Sequence, residues 1–337
     1  MTKVTLQRLR RLGWGVATLF LLAVASGFAQ AQSDQPVRVG IIGLDTSHVI
    51  EFTRMFNDAA DPDHVPGVRV VAAFKGGSPD IQESWERVDK YTAELQEKWK
   101  VQIVDSIPKL CSMVDAVLLE SLDGRTHLGQ VKPVLAAHKP VFIDKPLAAN
   151  YSDAKEIARL AKEAGVPWFS CSSLRYWAET QRLKAAPESG GILGAITYGP
   201  YSIEPHHTDL TWYGVHAMEI LYTLMGTGCE TVTRVTSKDA DVVVGKWKDG
   251  RIGVMRGNQK GPYEFGITVF GPKAFLHSGA QPTNYYQPLL VEIVKFFRTH
   301  QPPVSADETL EMFAFMQAAD VSKDRGGVPV ALSEITK

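Results

Sequence analysis

The sequence predicts an α/β protein: a doubly wound parallel sheet in the first half, then an α/β domain built on a largely antiparallel open sheet. Three observations predict it. Apolar strand-like runs alternate with amphipathic helical runs from Val37 to about Gly165, the first run closes on a glycine just before a helix, and the texture becomes β-rich beyond Ser170.

Val37 to Gly43 is apolar without alternation, as a central parallel strand buried on both faces should be. "SHVIEFTRMFNDAA" then places Val49, Phe52 and Phe56 at helical spacing, and Gly67 to Phe74 reads as a second strand, which completes a βαβ unit. A helical stretch from Pro79 to about Lys98 follows. The strand "VDAVLLES", the helix "LGQVKPVLAAH" and the strand "PVFID" come next. Ser152 is read as the cap of "DAKEIARLAKEAG", with Ile157, Leu160 and Ala161 on one face and Gly165 at its end. In the second half, "GAITYGPYSI", "VTRVTSKD", "DVVVGKWKDGRIGVMRG" and "YEFGITVFGPKAFLHSG" supply strands, with a tight hairpin at Lys248-Asp249-Gly250. The helix "VHAMEILYTLMG" interrupts them. Two more helices close the chain, one lined by Leu290, Ile293, Val294 and Phe297, the other opened by a capping box of Ser305 and Glu308.

Residues 1–31 stand apart. Lys3, Arg8, Arg10 and Arg11 precede an apolar run from Trp14 to Phe28 that ends in Ala29-Gln30-Ala31, the pattern of a cleaved secretory signal peptide. The run is shorter than the roughly 20 apolar residues of a membrane span, so no anchor is expected after cleavage and the chain should be exported, periplasmic or extracellular. The remaining chain divides into 32–150 and 151–337. Cleavage leaves 32 Lys+Arg against 37 Asp+Glu, a net charge of -5, and no basic run carries interleaved aromatics. Nucleic acid is excluded as a partner. Three cysteines, Cys111, Cys171 and Cys229, with no CxxC pair, exclude a disulfide scaffold.

The chemistry begins at "VGIIGLDTSHV". In a Gly-x-Gly-x-x-Gly frame, glycines let a pyrophosphate approach the amides at a helix N-terminus. Here the frame reads Gly43, Leu44, Asp45, Thr46, Ser47, His48, and only the first glycine is present. A carboxylate about 4 Å from a phosphate oxygen would be repelled by about 4 kcal/mol at an effective dielectric near 20, so Asp45 opposes a dinucleotide unless it turns away. Asp45, Thr46 and Ser47 are also good N-caps, so their side chains either satisfy those amides or leave them to a phosphate. Lys75 ends the second strand, where an acid would hold the ribose diol of NAD. A lysine there favours the 2'-phosphate of NADP, or is a solvated strand-end charge.

"VDAVLLESLDGRTHLGQVKPVLAAHKPVFIDKPLA" resembles the strand, loop, His, helix and Glu-Lys-Pro passage of the glucose-fructose oxidoreductase / inositol dehydrogenase / MocA family, with Asp144-Lys145-Pro146 as the tripeptide. Arg175 after "WFSCSSL", the "GGILGAI" segment, "YGVHAMEILYTLMG" and the closing "GGVPVALSE" extend the resemblance over nearly the whole chain after residue 31. It implies a Rossmann domain binding NAD or NADP, a second domain whose open sheet serves as an oligomer interface, and hydride transfer with a sugar, polyol or related carbinol. Gly43, Asp45, Thr46, Ser47, His48, Lys75, Ser121, His127, Asp144 and Lys145 fall at the cofactor positions. Such chemistry needs a base for the hydroxyl proton and a cation for the developing alkoxide, and His216 and Lys145 match those roles.

The departure is Trp212, one helical turn before His216, where the family has an acid. Asp209 is the expected substitute, while Glu219 matches a structural acid. Arg175, His206, His207 and Trp212 are placed at the substrate. Asp45, His48, His206, His207, Asp209 and His216 lack the spacing of a helix-borne metal motif, so no metal is assigned. Two further readings remain: a member that has lost its dinucleotide and binds carbohydrate or a partner, and an NAD-assisted glycoside hydrolase.

Overall fold

A computed structural model describes residues 35–279, 281 and 285–337, and the expected signal segment lies outside them. The first half alternates strand and helix: β1 (Val37–Ile42), α1 (Ser47–Asn57), β2 (Val68–Phe74), α2 (Gln82–Glu97), β3 (Gln102–Val104), α3 (Ile107–Met113), β4 (Ala116–Leu119), α4 (Gly124–Ala136), β5 (Val141–Ile143), α5 (Tyr151–Ala164) and β6 (Trp168–Phe169). The six strands run parallel in the order β3-β2-β1-β4-β5-β6. The order reverses at β1, between β2 and β4, and a ligand cleft is expected beyond the C-terminal strand ends at that point.

The remaining elements are α6 (Ala178–Ala185), β7 (Gly194–Pro200), α7 (Asp209–Trp212), α8 (Val215–Met225), β8 (Cys229–Thr236), β9 (Ala240–Trp247), β10 (Ile252–Asn258), β11 (Gly266–Phe270), β12 (Phe275–His277), α9 (Gln287–Thr299), α10 (Ala306–Asp324), β13 (Val330–Ala331) and α11 (Leu332–Thr336). Their sheet has the order β12-β11-β7-β10-β9-β8-β13. It is antiparallel except at its centre, where β7 and β10 run parallel. α7, α8, β8 and β9 intervene between those two strands, so the chain crosses over before it returns beside β7.

Both faces of the parallel sheet are covered. Val39, Ile41, Leu118 and Phe142 pack against Val49, Phe52 and Phe56 of α1 and against Leu290, Ile293 and Phe296 of α9, which returns from the end of the chain. Ile42, Val117, Leu119 and Ile143 face Leu110, Val131, Val134 and Ile157, and this core runs on into Leu221, Trp247, Phe313 and Phe315. Phe52 is fully buried, so truncating it to alanine costs about 3–5 kcal/mol. Every residue of α8 is buried, which fixes His216 in its first turn.

Two caps differ from the sequence reading. Asn150, not Ser152, caps α5 and accepts from the Asp153 N–H, because the helix begins two residues earlier at Tyr151. Ser305 accepts from the Glu308 N–H, but the Glu308 carboxylate leaves the box to meet Arg175. The hairpin at Lys248-Asp249-Gly250 joins β9 to β10, with Gly250 at φ +89°. Among the described residues, no helix is long and apolar enough to cross a membrane.

Candidate active site

β1 ends on Gly43, whose φ is +86°. A Cβ there would lie 2.2 Å from Ser121 Oγ and 2.4 Å from Ser121 Cα, so glycine alone fits. The Gly43 and Leu44 amides donate to the carbonyls of Phe74 and Lys75, which fastens the loop to the end of β2.

Asp45 is fully buried and points away from α1. Its Oδ1 accepts from the Leu122 N–H at 2.9 Å and its Oδ2 from the Ser84 hydroxyl at 2.6 Å. Burial raises its carboxyl pKa above the ordinary value, and the two donors act in the opposite direction. Thr46 is the N-cap residue, but no side chain caps the helix, and the Thr46 hydroxyl is buried with no partner. The self-capping alternative is therefore corrected: the clamp to Ser84 and Leu122 holds the one carboxylate that would have competed for these amides.

His48, in place of the third glycine, sends Nδ1 to Asp144 Oδ2 at 2.6 Å and lies 3.9 Å from Glu120 Oε2. Phe52 stacks on its ring and Tyr286 meets it edge-on, with centroids at 5.0 and 4.9 Å. Glu120 is fully buried, and neither of its carboxylate oxygens has a partner. Burial and the neighbouring Asp144 push its pKa well up. Sequence reasoning passed over Glu120, although an acid closing the all-apolar strand "AVLL" was the available signal.

Lys145, joined to Pro146 by a cis peptide bond, is nearly buried, with Nζ 6.0 Å from the centre of the Tyr213 ring. The His216 ring lies 5.0 Å from the same tyrosine. Its Nδ1 is 2.7 Å from Ser172 Oγ. Burial first, and the Lys145 charge second, push its pKa well below the ordinary value, so the imidazole is neutral. Thr46, Ser47, His48, Lys145, Trp212 and His216 line one cavity of about 390 Å³, with Tyr213, Tyr263, Phe265, Tyr285 and Tyr286 as aromatic walls and Glu83, Arg87 and Gln281 as further polar groups. An aromatic enclosure with a few convergent polar groups is the usual make-up of a small-molecule site.

Other residues assigned from sequence lie elsewhere. Asp209 pairs with Arg234 at 2.8 Å and with Lys323, so it does not replace the missing acid beside His216. Arg175 is buried between Glu219 and Glu308, joining the turn before α6 to α8 and α10, and does not line the cavity. Lys75, half-exposed at the end of β2, pairs with Asp89 of α2. His127 spans the carbonyls of Ser121 and Leu147, at 2.8 and 3.1 Å, and ties the loop after β4 to that after β5; the Ser121 hydroxyl donates to Gln130. His206 and His207 both meet Glu204. His207 also accepts from the Gly124 N–H and packs on Trp212, so the pair braces the loop before α7 against α4. The six-residue metal set of the sequence reading does not converge, and only its His48 joins the Glu120–Asp144 cluster.

A dinucleotide-type fold with a lysine and a histidine beyond its strand ends is the class of architecture that comparison with known proteins also finds. Residues 37–171 match the model of the oxidoreductase family with an NAD-binding Rossmann fold, that of the glucose-fructose oxidoreductase / inositol dehydrogenase / MocA proteins. It is 28% identical over 184 residues to myo-inositol 2-dehydrogenase of Thermotoga maritima, covering 48% of this chain and 55% of that protein. With D-apiose dehydrogenase of Rhizobium rhizogenes it shares 30% identity over 106 residues, 27% of this chain and 30% of the relative. The chain thus spans about half or less of these curated relatives. Scyllo-inositol dehydrogenase from Lactobacillus casei, solved with NAD(H) and scyllo-inositol, superposes with a TM-score of 0.71 at 13% identity over 89% of this chain and 100% of that one.

Proposed function

We propose that the chain is a nicotinamide-dependent oxidoreductase acting on a polyhydroxylated carbinol, a sugar or cyclic polyol. The observation that carries this reading is the α1 N-terminus. It has no side-chain cap, it holds a buried hydroxyl without a partner, and it opens on the cavity that contains Lys145 and His216. Such a terminus suits a diphosphate, because its free amides and the helix dipole both favour an anion. The residues present fit the cofactor there: Thr46, Ser47 and His48 would hold the diphosphate, and Lys145 would lie beside the nicotinamide.

When bound, the cofactor supplies the hydride donor or acceptor. The chain supplies the rest. The Lys145 ammonium stabilises the negative charge that develops on the carbinol oxygen, an effect whose removal costs about 10²–10³ in rate in comparable sites. His216, held neutral by burial, takes the hydroxyl proton at the ring nitrogen not engaged with Ser172. The aromatic walls exclude water and offer faces to the C–H side of a sugar-like ring. Export and homo-oligomerisation belong to the same proposal, supported by residues 1–31 and by the family resemblance.

One observation favours a second reading. Ser78 donates to Asp123 at 2.7 Å and Arg125 bridges to Asp80 at 2.8 Å, so the loop after β2 is fastened to the start of α4 at the adenosine end of the cleft. A binding protein that takes carbohydrate without a dinucleotide would keep such bridges closed. Denaturing the purified chain and assaying the supernatant for NAD and NADP, with calorimetric titration of both into the native chain, separates the two. Bound or titratable cofactor, together with polyol-dependent formation of reduced nicotinamide, supports the oxidoreductase. No release and no heat with either cofactor refutes it.

A further inference from the structure

We propose that His48, Glu120 and Asp144 form a binding site for one divalent transition-metal ion. The three side chains come from separate rigid elements: the first turn of α1, the residue after β4 and the residue after β5, two adjacent parallel strands. One ligand atom from each lies within 4.8 Å of the others. His48 Nδ1 is 2.6 Å from Asp144 Oδ2 and 3.9 Å from Glu120 Oε2. A tetrahedral ion with bonds near 2.0–2.2 Å holds its ligands about 3.4 Å apart, so the cluster needs only side-chain adjustments of less than an ångström along these two separations.

A second observation points to a ligand independently of that convergence. Both Glu120 oxygens are buried and unpartnered, whereas buried carboxylates are ordinarily paired, hydrogen-bonded or metal-bound. Asp144 is arranged differently: its Oδ1 accepts from the Lys145 backbone N–H at 2.8 Å, which leaves Oδ2 turned to the cluster. The His48 ring is held by Phe52 and Tyr286. One imidazole nitrogen with two carboxylate oxygens suits zinc, manganese or ferrous iron, and an all-oxygen ion such as calcium poorly. Three protein ligands are the number of a site that keeps a position open, and His48 borders the cavity from which water or a substrate oxygen would fill it. The site stands without the oxidoreductase reading, because none of these contacts involves a dinucleotide.

The test is titration of Zn²⁺ into the chelator-stripped full chain by calorimetry, with metal content measured after gel filtration. One Zn²⁺ per chain is expected, weakened at least tenfold in both Glu120→Gln and His48→Gln, with a zinc-dependent rise in Tm that disappears in the variants. Paramagnetic broadening of the His48 imidazole resonance by Mn²⁺ in the unsubstituted chain gives a readout that needs no variant to fold. Absence of saturable Zn²⁺ binding, an unbroadened His48 signal, or binding that survives both substitutions would overturn the proposal. The last outcome would place the ion outside the His48–Glu120–Asp144 cluster.

Discussion

Asp45 and Ser84 make the sharpest test of why a carboxylate is tolerated in the phosphate loop. Both are fully buried, and the Ser84 hydroxyl donates to Asp45 Oδ2 at 2.6 Å while the Leu122 N–H donates to Oδ1 at 2.9 Å. A hydrogen bond to a charged group contributes about 1.5–3 kcal/mol, and a donor left unpaired in the interior costs about 1–3 kcal/mol. Asp45→Ala strips two such donors of their acceptor, so it should destabilise by about 2–6 kcal/mol. Asp45→Asn keeps an acceptor for Leu122 and sheds a charge that burial disfavours, so it should cost less. In a double-mutant cycle of Asp45→Ala with Ser84→Ala, followed by urea unfolding at constant m-value, the pair should couple by about 1.5–3 kcal/mol, with the double variant less damaged than the sum of the singles. If Asp45 reached for the α1 amides instead, the two effects would add to within about 0.5 kcal/mol. That result would refute the clamp and return Asp45 to the cradle.

Lys145→Ala should reduce turnover by about 10²–10³ in steady-state kinetics with the secondary structure unchanged in circular dichroism, as expected for loss of an oxyanion-stabilising cation. Arg234, almost fully buried among Asp209, Asp241, Asp320 and the Tyr201 hydroxyl, is a structural cation. Arg234→Met should therefore cost about 3–5 kcal/mol in urea unfolding, because it leaves buried carboxylates unpaired. Burial, then repulsion from Asp209, raises the Asp320 carboxyl to about 6, above the ordinary value of 3.8. The folded chain keeps this proton where the unfolded chain has lost it, so the contribution is complete below about pH 4 and is lost as pH rises through about 6. At about 1.4 kcal/mol per unit the loss approaches 3 kcal/mol, and Asp320→Asn should flatten that part of the stability–pH profile.

The repeating strand-helix order of the first half was legible because the inner parallel strands β4 and β5 are buried on both faces and read as unbroken apolar runs. Gly43 announced its turn through its place at the end of the first run, and the lysine before Pro146 marked a strand end where ligands bind. β3 was missed because it has only three residues, none of them buried. The parallel pairing of β7 with β10 was invisible, since alternation along a strand states which face is buried but not which neighbour it takes. At the candidate site, Lys145 and His216, singled out from the sequence, line one cavity. Arg175 and Asp209 were misplaced for a common reason: each is satisfied by an ion pair with α10, more than a hundred residues away, namely Arg175 by Glu308 and Asp209 by Lys323. The Asp45 clamp was hidden likewise, because its partners, Ser84 on α2 and the Leu122 amide after β4, lie 39 and 77 residues away in sequence.

The central claim is that the α1 N-terminus accepts a diphosphate while Asp45 stays clamped away from it. Diffraction from crystals grown with excess NAD or NADP tests this directly. The account predicts diphosphate density on the amides of Thr46, Ser47 and His48, with Asp45 still bonded to Ser84 and Leu122. An Asp45 carboxylate swung onto those amides, with no cofactor density in the cavity, would contradict it.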